Sequence, residues 1–441
     1  MKSDFWIKTA AVLVMLAVSF LPGCKRTDSA PDLNDKNVVV ILVDTLRADH
    51  LPFYGYPVNT APFLNQIAQK GVIFDRAFSA SSYTAPSTAS IFTGVYPSQH
   101  GVITGMRAYK GLKKDHQEVI LNRIPEGLET LPQVFKKAGY KTYGIADNLN
   151  ICKEMGFDKG FDKFENFSQK TAAVVNDTLA SWADEIKSGG KYFMYIHYMD
   201  PHAPYRKRDP WYKPSENKRE STINAYNSEI SFVDEKIKEM FELFGWEKNA
   251  IVVLLADHGE EFWEHGRKGH AKTLYREVLH VPFTFYYSGL RPRRVSTEVG
   301  VTSLLPTLAE LLQLQVSPVW QGLSLTPLLL EGKDIPPEDL HAQLLKRPGQ
   351  KGPALRSVIA QGWHFISTTA VGAGVKHELF NLENDFAEKN SVAASSKTIV
   401  AELQSKIDAL KDNVTDIPKE EVKMEIDKDT IRQLKTLGYM E

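Results

Sequence analysis

Cysteine is scarce in this sequence, which has only Cys24 and Cys152 among its 441 residues. One disulfide is possible by count, but Cys24 directly follows an apolar N-terminal stretch, and that position argues against a bridge. Cys152 is then a lone thiol, and we expect it to be buried rather than catalytic.

Net charge is also small, because 53 basic side chains nearly balance 54 acidic ones. This balance gives no reason to expect a nucleic acid or another polyanion as a partner. The composition, with 43% hydrophobic and 24% charged residues, is ordinary for a globular protein that is long enough to bury a large core.

The N-terminal apolar run, residues 10–21, is short for a membrane-spanning helix. It follows Lys2 and Lys8, a pattern typical of a secretory signal. Residues 21–24 resemble a bacterial lipobox, in which Cys24 becomes the lipidated first residue of the mature protein. We therefore expect a lipid-anchored protein of the bacterial cell envelope, outside the cytoplasm on the periplasmic or surface face. An uncleaved N-terminal anchor helix is the alternative.

The pattern of the following residues predicts an α/β fold. Apolar runs without alternation at residues 38–43, 192–197 and 250–256 predict strands covered on both faces, as in a parallel sheet. Amphipathic segments predict helices near the following residues: 61–70, 129–138, 170–187 and 221–244. Strands that alternate with helices indicate a mostly parallel central sheet wrapped by helices.

The C-terminal part has a different pattern. Residues 355–360 and 363–368 predict short antiparallel strands, and residues 397–411 predict a helix, so we expect a smaller C-terminal α+β subdomain. The predicted organisation has four parts: a signal peptide with lipobox at 1–24, a polar tether at 25–36, a catalytic domain at 37–340 and the subdomain at 341–441.

Chemically capable side chains follow two of the predicted strands. Asp44 comes directly after the first strand, and Asp257 and His258 come after the third. Ligands bind outside the carboxyl ends of the strands in such sheets, so these residues are candidates for one site. Each alone would be an ordinary turn or cap residue. Together, carboxylates with one imidazole suit zinc or manganese better than calcium.

A predicted helix start carries a candidate nucleophile. Pro86 suits the first turn of a helix and Gly94 suits its C-terminal end, so Thr84 falls at or just before the helix start. The local sequence alone favours a simple N-cap role for Thr84. The same geometry would offer a helix N-terminus to a tetrahedral oxyanion, and a metal beside it could make Thr84 a nucleophile.

Segments spread over nearly the whole mature chain resemble the sulfatase family, and they occur in the family's order. They are residues 37–49, 60–79, 84–101, 131–142, 197–205, 257–272, 378–385 and 437–439. The resemblance implies an alkaline-phosphatase-like fold and a metal-dependent hydrolase or transferase that acts on phosphate or sulfate esters. The number and order of the segments carry the identification, rather than any one of them.

The departures from the family pattern concern the chemistry. Sulfatases need cysteine or serine at the position of Thr84, for conversion to formylglycine, and arginine at the position of Thr88. Thr45 stands where a second metal-binding aspartate is usual, and His258 where asparagine is usual. The family's lysine and histidine are replaced around residues 147–148. The pattern is similar to that of the phosphoethanolamine and phosphoglycerol transferases and the nucleotide phosphodiesterases, in which a metal-bound threonine attacks phosphorus.

The resemblance implies that Thr84 is the nucleophile and that it is activated by one divalent metal, zinc or manganese rather than calcium. The metal would be held by four side chains: Asp44, Thr84, Asp257 and His258. A second metal is possible, and His202 and His270 could contribute to it.

Further roles follow from the same resemblance. His202 and Lys272 are expected to contact the non-bridging oxygens of the ester, and His270 to protonate the leaving oxygen. Arg47 and Asp49 are expected to orient the metal ligands. Three other histidines are expected to be structural: His197, His265 and His280.

The expected substrate is an anionic ester with a lipid head group, a glycan or a nucleotide, and a phosphoester or phosphodiester is favoured. The expected partners are this substrate and the membrane, reached through lipidated Cys24, and no nucleic acid is expected. One alternative is a sulfatase that uses Thr84 without formylglycine. Others are a catalytically silent lipoprotein that binds glycans or anions, and a structural envelope protein, which would not need the metal ligands.

Overall fold

A mostly parallel sheet lies at the centre of the protein. The computed structural model describes residues 33, 36–105, 118–168, 170–346, 352–370, 372, 374–412 and 418–425. The strands in these residues are β1 (Asn37–Val43), β2 (Val72–Phe78), β3 (Glu118–Arg123), β4 (Lys141–Asp147), β5 (Lys163–Phe167), β6 (Tyr192–Tyr198), β7 (Ala250–Leu255), β8 (Glu261–Phe262), β9 (Lys268–Gly269), β10 (Phe283–Tyr286), β11 (Arg293–Gly300), β12 (Leu340–Leu344), β13 (Ala354–Ala360), β14 (Trp363–Ala370), β15 (Gly374–Asn381) and β16 (Glu420–Glu425). The helices are α1 (Pro62–Gln69), α2 (Thr84–Thr93), α3 (Pro97–His100), α4 (Leu131–Lys137), α5 (Ala172–Ser181), α6 (Ala183–Ser188), α7 (Lys218–Phe244), α8 (Trp246–Asn249), α9 (Arg276–Leu279), α10 (Leu304–Leu311), α11 (Thr326–Leu330) and α12 (Lys397–Asp412).

Within the described residues, the central sheet has eight strands in the order β11-β2-β10-β7-β1-β6-β4-β5. β1 lies between β6 and β7 and is parallel to both, so the carboxyl ends of these three strands reach the same edge. β10 is antiparallel to its neighbours β2 and β7. Every side chain of β6 and β7 is buried, which explains why their sequences lack alternation.

Helices pack around this sheet, as the sequence predicts. α7 has 27 residues and begins at an N-cap, Asn217, whose side chain accepts a hydrogen bond from the Glu220 backbone N–H. The single helix predicted at residues 170–187 is instead two helices, α5 and α6. They are separated at Trp182, whose backbone N–H bonds to the Leu179 carbonyl only three residues back and tightens the last turn of α5.

A smaller antiparallel sheet, β12-β13-β14-β15, forms the C-terminal part of the fold. α12 covers it by packing Leu403 and Ile407 against Phe365 and Leu379. β16 pairs instead with β3, which precedes the smaller sheet by more than 200 residues. The predicted fold class is therefore confirmed: an α/β domain with a mostly parallel sheet wrapped by helices, followed by a smaller antiparallel element. The exact domain boundaries stay predictions.

Some predicted features lie outside the described residues. These are the signal peptide with Cys24, nearly all of the tether and the motif at residues 437–439. Cys152 is buried and free, and burial raises the pKa of its thiol to about 12. None of the helices in the described part of the chain is long and apolar enough to cross a bilayer.

Candidate active site

Three buried side chains meet at the carboxyl edge of the central sheet. Asp44 follows β1, and Asp257 and His258 follow the neighbouring strand β7. One potential ligand atom from each residue lies within 4.8 Å of those from the other two. The structure thus brings together the three residues that we expect at one site because they follow the carboxyl ends of strands. Among the described residues, this is the one group of three or more such side chains close enough to hold a metal.

The hydrogen bonds around this group leave some oxygen and nitrogen atoms free to bind a cation. Asp257 Oδ1 accepts from the backbone N–H groups of Thr45 and His258, at 3.2 and 2.9 Å. Asp44 Oδ1 and Asp257 Oδ2 are buried without a hydrogen-bond partner. When His258 Nδ1 donates to the Gly259 carbonyl at 2.8 Å, its Nε2 presents a lone pair. Two orphaned carboxylate oxygens and an imidazole nitrogen fit a divalent transition metal.

The carboxyl group of Asp44 has a strongly shifted pKa. Burial, followed by the nearby charge of Asp257, raises the pKa of Asp44 well above its ordinary value. A hydrogen bond from Asn148 Nδ2 to Asp44 Oδ2, at 2.7 Å, opposes this shift. Two carboxylates that are buried this close repel each other, and a bound cation would convert the repulsion into attraction.

Two further residues lie beside Asp44, and one of them, His197, is expected from the sequence to be structural. Asn148 follows β4 and holds Asp44, and His197, near the end of β6, places its Nε2 3.5 Å from Asp44 Oδ2. Burial lowers the pKa of His197 to about 4, so its ring is neutral at pH 7. Both residues lie at the carboxyl ends of strands, where ligands bind in such sheets.

Thr84 lies against the same group. It is the first residue of α2 and is fully buried, and its Oγ1 lies 3.3 Å from His258 Nε2. Tyr83 occupies the N-cap position, so the N-cap role that local sequence favours for Thr84 is wrong. The hydroxyl is directed towards the candidate metal ligands instead of back to the helix backbone.

Serine side chains fix the start of α2 to the loop that carries Asp257. Ser87 Oγ donates to the Asp257 carbonyl at 2.6 Å, and Ser79 Oγ makes a short contact with the same oxygen. The two hydroxyl oxygens are 2.8 Å apart. The Ala271 backbone N–H donates to the Ser82 carbonyl at 2.8 Å. The position of Thr84 relative to Asp257 and His258 is therefore determined by several direct bonds.

His270 and His202 extend the site on one side. The His270 ring centre lies 4.5 Å from that of His258 and 4.9 Å from that of His202. His270 Nδ1 bonds to Glu260 Oε1 at 3.1 Å, and Glu260 Oε2 accepts from the Tyr205 hydroxyl at 2.8 Å. This chain of bonds orients the His270 ring. Glu260 would also stabilise its imidazolium form by ion pairing.

His202 presents an unpartnered nitrogen to the site. Its Nδ1 bonds to the Ala203 carbonyl at 2.6 Å, and its buried Nε2 has no hydrogen-bond partner. Burial, assisted by His270, lowers the pKa of His202 to about 3. The ring is therefore neutral in the free protein, and a bound anion would favour the protonated form, in which Nε2–H donates.

Lys272 is placed differently from these histidines. Its side chain is exposed, and Nζ donates to the Lys268 carbonyl at 2.5 Å. The Lys272 ammonium and Glu260 Oε1 both lie close to Gly269. A β-carbon added to this glycine would be 3.5 Å from Lys272 Nζ and 3.7 Å from Glu260 Oε1. No second group of metal ligands that includes His202 or His270 occurs in the described ranges.

The two other histidines expected to be structural make hydrogen bonds within the fold. His265 lies between Glu277 Oε1 and the Glu388 carbonyl, at 2.6 and 2.9 Å. His280 Nε2 bonds to the Asp75 carbonyl at 2.8 Å.

Arg47 and Asp49 brace the loop that follows β7. The Arg47 guanidinium donates two bonds to Asp49, both 2.8 Å long, and further bonds to the Glu260 carbonyl at 2.9 Å and to Glu264 Oε1 at 2.7 Å. Burial alone would raise the pKa of Asp49, but Arg47 holds it well below its ordinary value. Arg47 therefore joins the segment after β1 to the loop that carries Asp257 and His258.

Comparisons with known proteins show the family of this chain. The sulfatase family profile matches residues 36–314. An arylsulfatase of Hemicentrotus pulcherrimus is 24% identical over 356 residues, which cover 68% of this chain and 63% of that protein, so the match spans less than two thirds of that relative. Kdo(2)-lipid A phosphoethanolamine 7''-transferase of Salmonella typhimurium is 26% identical over 260 residues, which cover 55% of this chain and 42% of that protein.

Solved structures show the same fold. The crystal structure of phosphonate monoester hydrolase of Agrobacterium radiobacter superposes with a TM-score of 0.67 at 16% identity, covering 86% of this chain and 95% of that one. The family profile extends over more than half of the chain and includes Asp44, Thr84, Asp257 and His258. This protein therefore belongs to the sulfatase family.

Proposed function

We propose that this protein is a metal-dependent phosphoesterase or phosphotransferase whose nucleophile is Thr84. The observation that carries the proposal is the position of the Thr84 hydroxyl, which is buried at the first residue of α2 and lies 3.3 Å from His258 Nε2. The position that would supply formylglycine in a sulfatase is thus occupied by a residue that cannot form the aldehyde, yet its oxygen lies at the candidate metal ligands.

The side chains present favour phosphorus over sulfur chemistry. A threonine alkoxide can attack phosphorus directly and form a phospho-enzyme. Both a phosphoethanolamine transferase and a phosphonate monoester hydrolase are among the similar proteins, and their names support a phosphoester or phosphodiester substrate. We propose an anionic ester with a lipid head group, a glycan or a nucleotide as its substrate.

Asp44, Thr84, Asp257 and His258 would hold one divalent ion, zinc or manganese rather than calcium. When bound, this ion supplies a Lewis acid that lowers the pKa of a coordinated hydroxyl and offsets negative charge on the transferred group. The N-terminus of α2 adds positive potential at the same place. Thr84 is thereby both positioned and surrounded by groups that stabilise its ionised form.

In the proposed reaction, Thr84 Oγ1 loses its proton to solvent and attacks phosphorus, and the bond to the leaving oxygen breaks as that oxygen takes a proton from His270. Water or an acceptor alcohol then attacks phosphorus and gives its proton to His270, while the bond from phosphorus to Thr84 Oγ1 breaks and that oxygen regains a proton from solvent. Glu260 orients His270 for the proton transfer. His202 and Lys272 would contact the non-bridging oxygens. The His202 ring would take up a proton from solvent when the anionic substrate binds, and its Nε2–H would then donate to the substrate.

The arylsulfatase relative favours one other function, hydrolysis of a sulfate ester by Thr84 without formylglycine. A catalytically silent lipoprotein that binds glycans or anions would need neither the metal ligands nor a threonine hydroxyl beside them. The lipobox at Cys24 leads us to propose that the protein is anchored in the bacterial cell envelope and acts outside the cytoplasm.

The experiment is an ester assay of the protein lacking residues 1–24, with zinc or manganese, on p-nitrophenyl phosphate, a p-nitrophenyl phosphodiester and p-nitrophenyl sulfate. Thr84→Ala is compared with Thr88→Ala, which removes another buried threonine hydroxyl from the same helix. Phosphoester turnover that Thr84→Ala abolishes and Thr88→Ala retains is expected. Turnover of the sulfate alone would contradict the proposal, and a metal-free protein without any turnover would favour the silent lipoprotein.

A further inference from the structure

A pocket lies beside the candidate metal ligands, where β4 ends. Asp147, the last residue of β4, lines it, and the next residue, Asn148, donates to Asp44 Oδ2. Met199 and His202 form another part of the wall, and Asn148 Nδ2 lies 3.3 Å from Met199 Sδ. The free space inside the pocket is about 20 Å³, which is room for a water-sized group such as an ammonium rather than for a whole ligand.

Two other carboxylates in this pocket share one guanidinium, and burial, followed by the charge of Asp200, raises the pKa of Glu229 to about 7. Arg208 binds both Asp200 Oδ1 and Glu229 Oε2, at 2.5 and 2.8 Å. Their other oxygens accept from the backbone N–H groups of Ala172 and Arg206, at 2.9 and 2.6 Å. Both oxygens of each carboxylate therefore already have a partner within the protein.

Asp147 differs from both of them. Its side chain has no exposed surface, Oδ1 accepts only from the Lys170 backbone N–H at 2.9 Å, and Oδ2 has no hydrogen-bond partner. Burial raises the pKa of Asp147 to about 6, so the group carries its negative charge at pH 7. A buried charge without a counter-ion is unfavourable, and a cation that enters the pocket would relieve it.

The cations at the pocket do not satisfy this carboxylate. Lys170 and Arg206 line the rim, and both side chains are exposed. Within the described ranges, neither forms an ion pair with Asp147 within 4 Å, although the charge of each favours the ionised carboxylate. The base of the pocket thus holds one buried carboxylate oxygen without a hydrogen-bond partner, Asp147 Oδ2, while the cationic side chains at its rim are exposed.

We propose that Asp147 forms a subsite for a positively charged ammonium group on the substrate, with His202 and Met199 as its walls. This inference rests on the proposed function, because it assumes that the phosphoryl group of the same substrate lies at the metal ligands. It specifies the substrate class as a phosphoester that carries an amine close to phosphorus, such as an amino alcohol or amino sugar ester.

The test is calorimetric binding of non-hydrolysable phosphonates to the full-length, zinc-loaded protein. Aminoethylphosphonate is compared with propylphosphonate, and aminobutylphosphonate with pentylphosphonate, because each pair has equal length and differs in the amine. The proteins are wild type, Asp147→Asn and Glu165→Gln. Asp147→Asn keeps the oxygen that accepts from Lys170, and Glu165→Gln removes one exposed carboxylate from the adjacent strand β5.

For wild type, we expect at least one amine to bind about tenfold more tightly than its alkyl counterpart, which corresponds to about 1.4 kcal/mol for one charged hydrogen bond. The ratio should approach one in Asp147→Asn and stay at the wild-type value in Glu165→Gln. Equal binding of both members of each pair to wild type would overturn the subsite alone, as would a preference that survives in Asp147→Asn. If no phosphonate binds, the proposed function fails together with the subsite.

Discussion

Replacing Arg47 with methionine is expected to destabilise the fold by about 3 kcal/mol and to weaken metal binding, although Arg47 is not a metal ligand. The guanidinium is 4% exposed and binds Asp49 and Glu264, which are 31% and 22% exposed. Removing one member of a buried ion pair costs about 3–5 kcal/mol, and the partial exposure of both carboxylates places this case at the lower end.

The effect on metal binding follows from the bond between Arg47 Nη1 and the Glu260 carbonyl. Without it, the loop that carries Asp257 and His258 keeps the bond from the Thr45 backbone N–H to Asp257 but loses the bonds that Arg47 makes to Glu260 and Glu264. Loss of such a supporting interaction typically lowers metal affinity about 10- to 100-fold. The Arg47→Lys variant keeps the charge but not the two-bond geometry with Asp49, so it should lie between wild type and Arg47→Met.

The loss of stability should depend on pH. Arg47 holds the pKa of both Asp49 and Glu264 below their ordinary values, against the effect of burial. Stability from carboxylates with depressed pKa values is present above their ordinary pKa values, near 4, and is lost as the pH falls through the values in the folded protein. The difference in stability between wild type and Arg47→Met should therefore be full at pH 7 and shrink below pH 4.

The measurements are urea unfolding in EDTA, which reports on the fold without metal, and calorimetric titration with zinc. Arg76→Met is the control, because Arg76 is 30% exposed and pairs with Glu298 at 3.2 Å. A pair of that kind contributes about 0–1 kcal/mol. Equal urea midpoints and equal zinc affinities for Arg47→Met and Arg76→Met would refute the reasoning.

Other predictions follow from the same geometry. Zinc should raise the unfolding temperature of wild type in differential scanning fluorimetry but not that of Asp257→Asn, which loses a ligand charge; an equal rise in both would exclude Asp257 as a ligand. His270→Asn should slow turnover of a phenyl phosphodiester about 100-fold or more while affecting the p-nitrophenyl ester much less, because p-nitrophenolate leaves without a proton. Equal losses for both esters would argue against His270 as the general acid. Cys24→Ser should move the protein from the membrane to the soluble fraction, and unchanged fractionation would contradict lipidation there.

The sequence predicts much of this fold because local patterns determine its elements. Unbroken apolar runs predict β1, β6 and β7, and the positions of Pro86 and Gly94 predict α2. The rule that ligands lie at strand ends then selects Asp44, Asp257 and His258 as one group, although 213 residues separate the first two along the chain.

The remaining features depend on strand order and side-chain direction, which local patterns do not contain. Asn148 and His197 meet Asp44 only because β4, β6 and β1 are neighbours in the sheet. The sequence also does not determine the direction of the Lys272 side chain, whose ammonium bonds to a carbonyl four residues back along the chain; its contact with the ester oxygens stays a prediction. The break between α5 and α6 depends on one backbone bond at Trp182.

The most direct test of the central claim is to look for the phospho-enzyme itself. The zinc-loaded protein would be mixed with a p-nitrophenyl phosphodiester, quenched in acid during the first turnover and analysed by intact-mass spectrometry and peptide mapping. The account predicts a covalent phosphoryl adduct on Thr84, formed in wild type and Thr88→Ala and absent from Thr84→Ala. Turnover without any adduct, or an adduct that persists in Thr84→Ala, would contradict it.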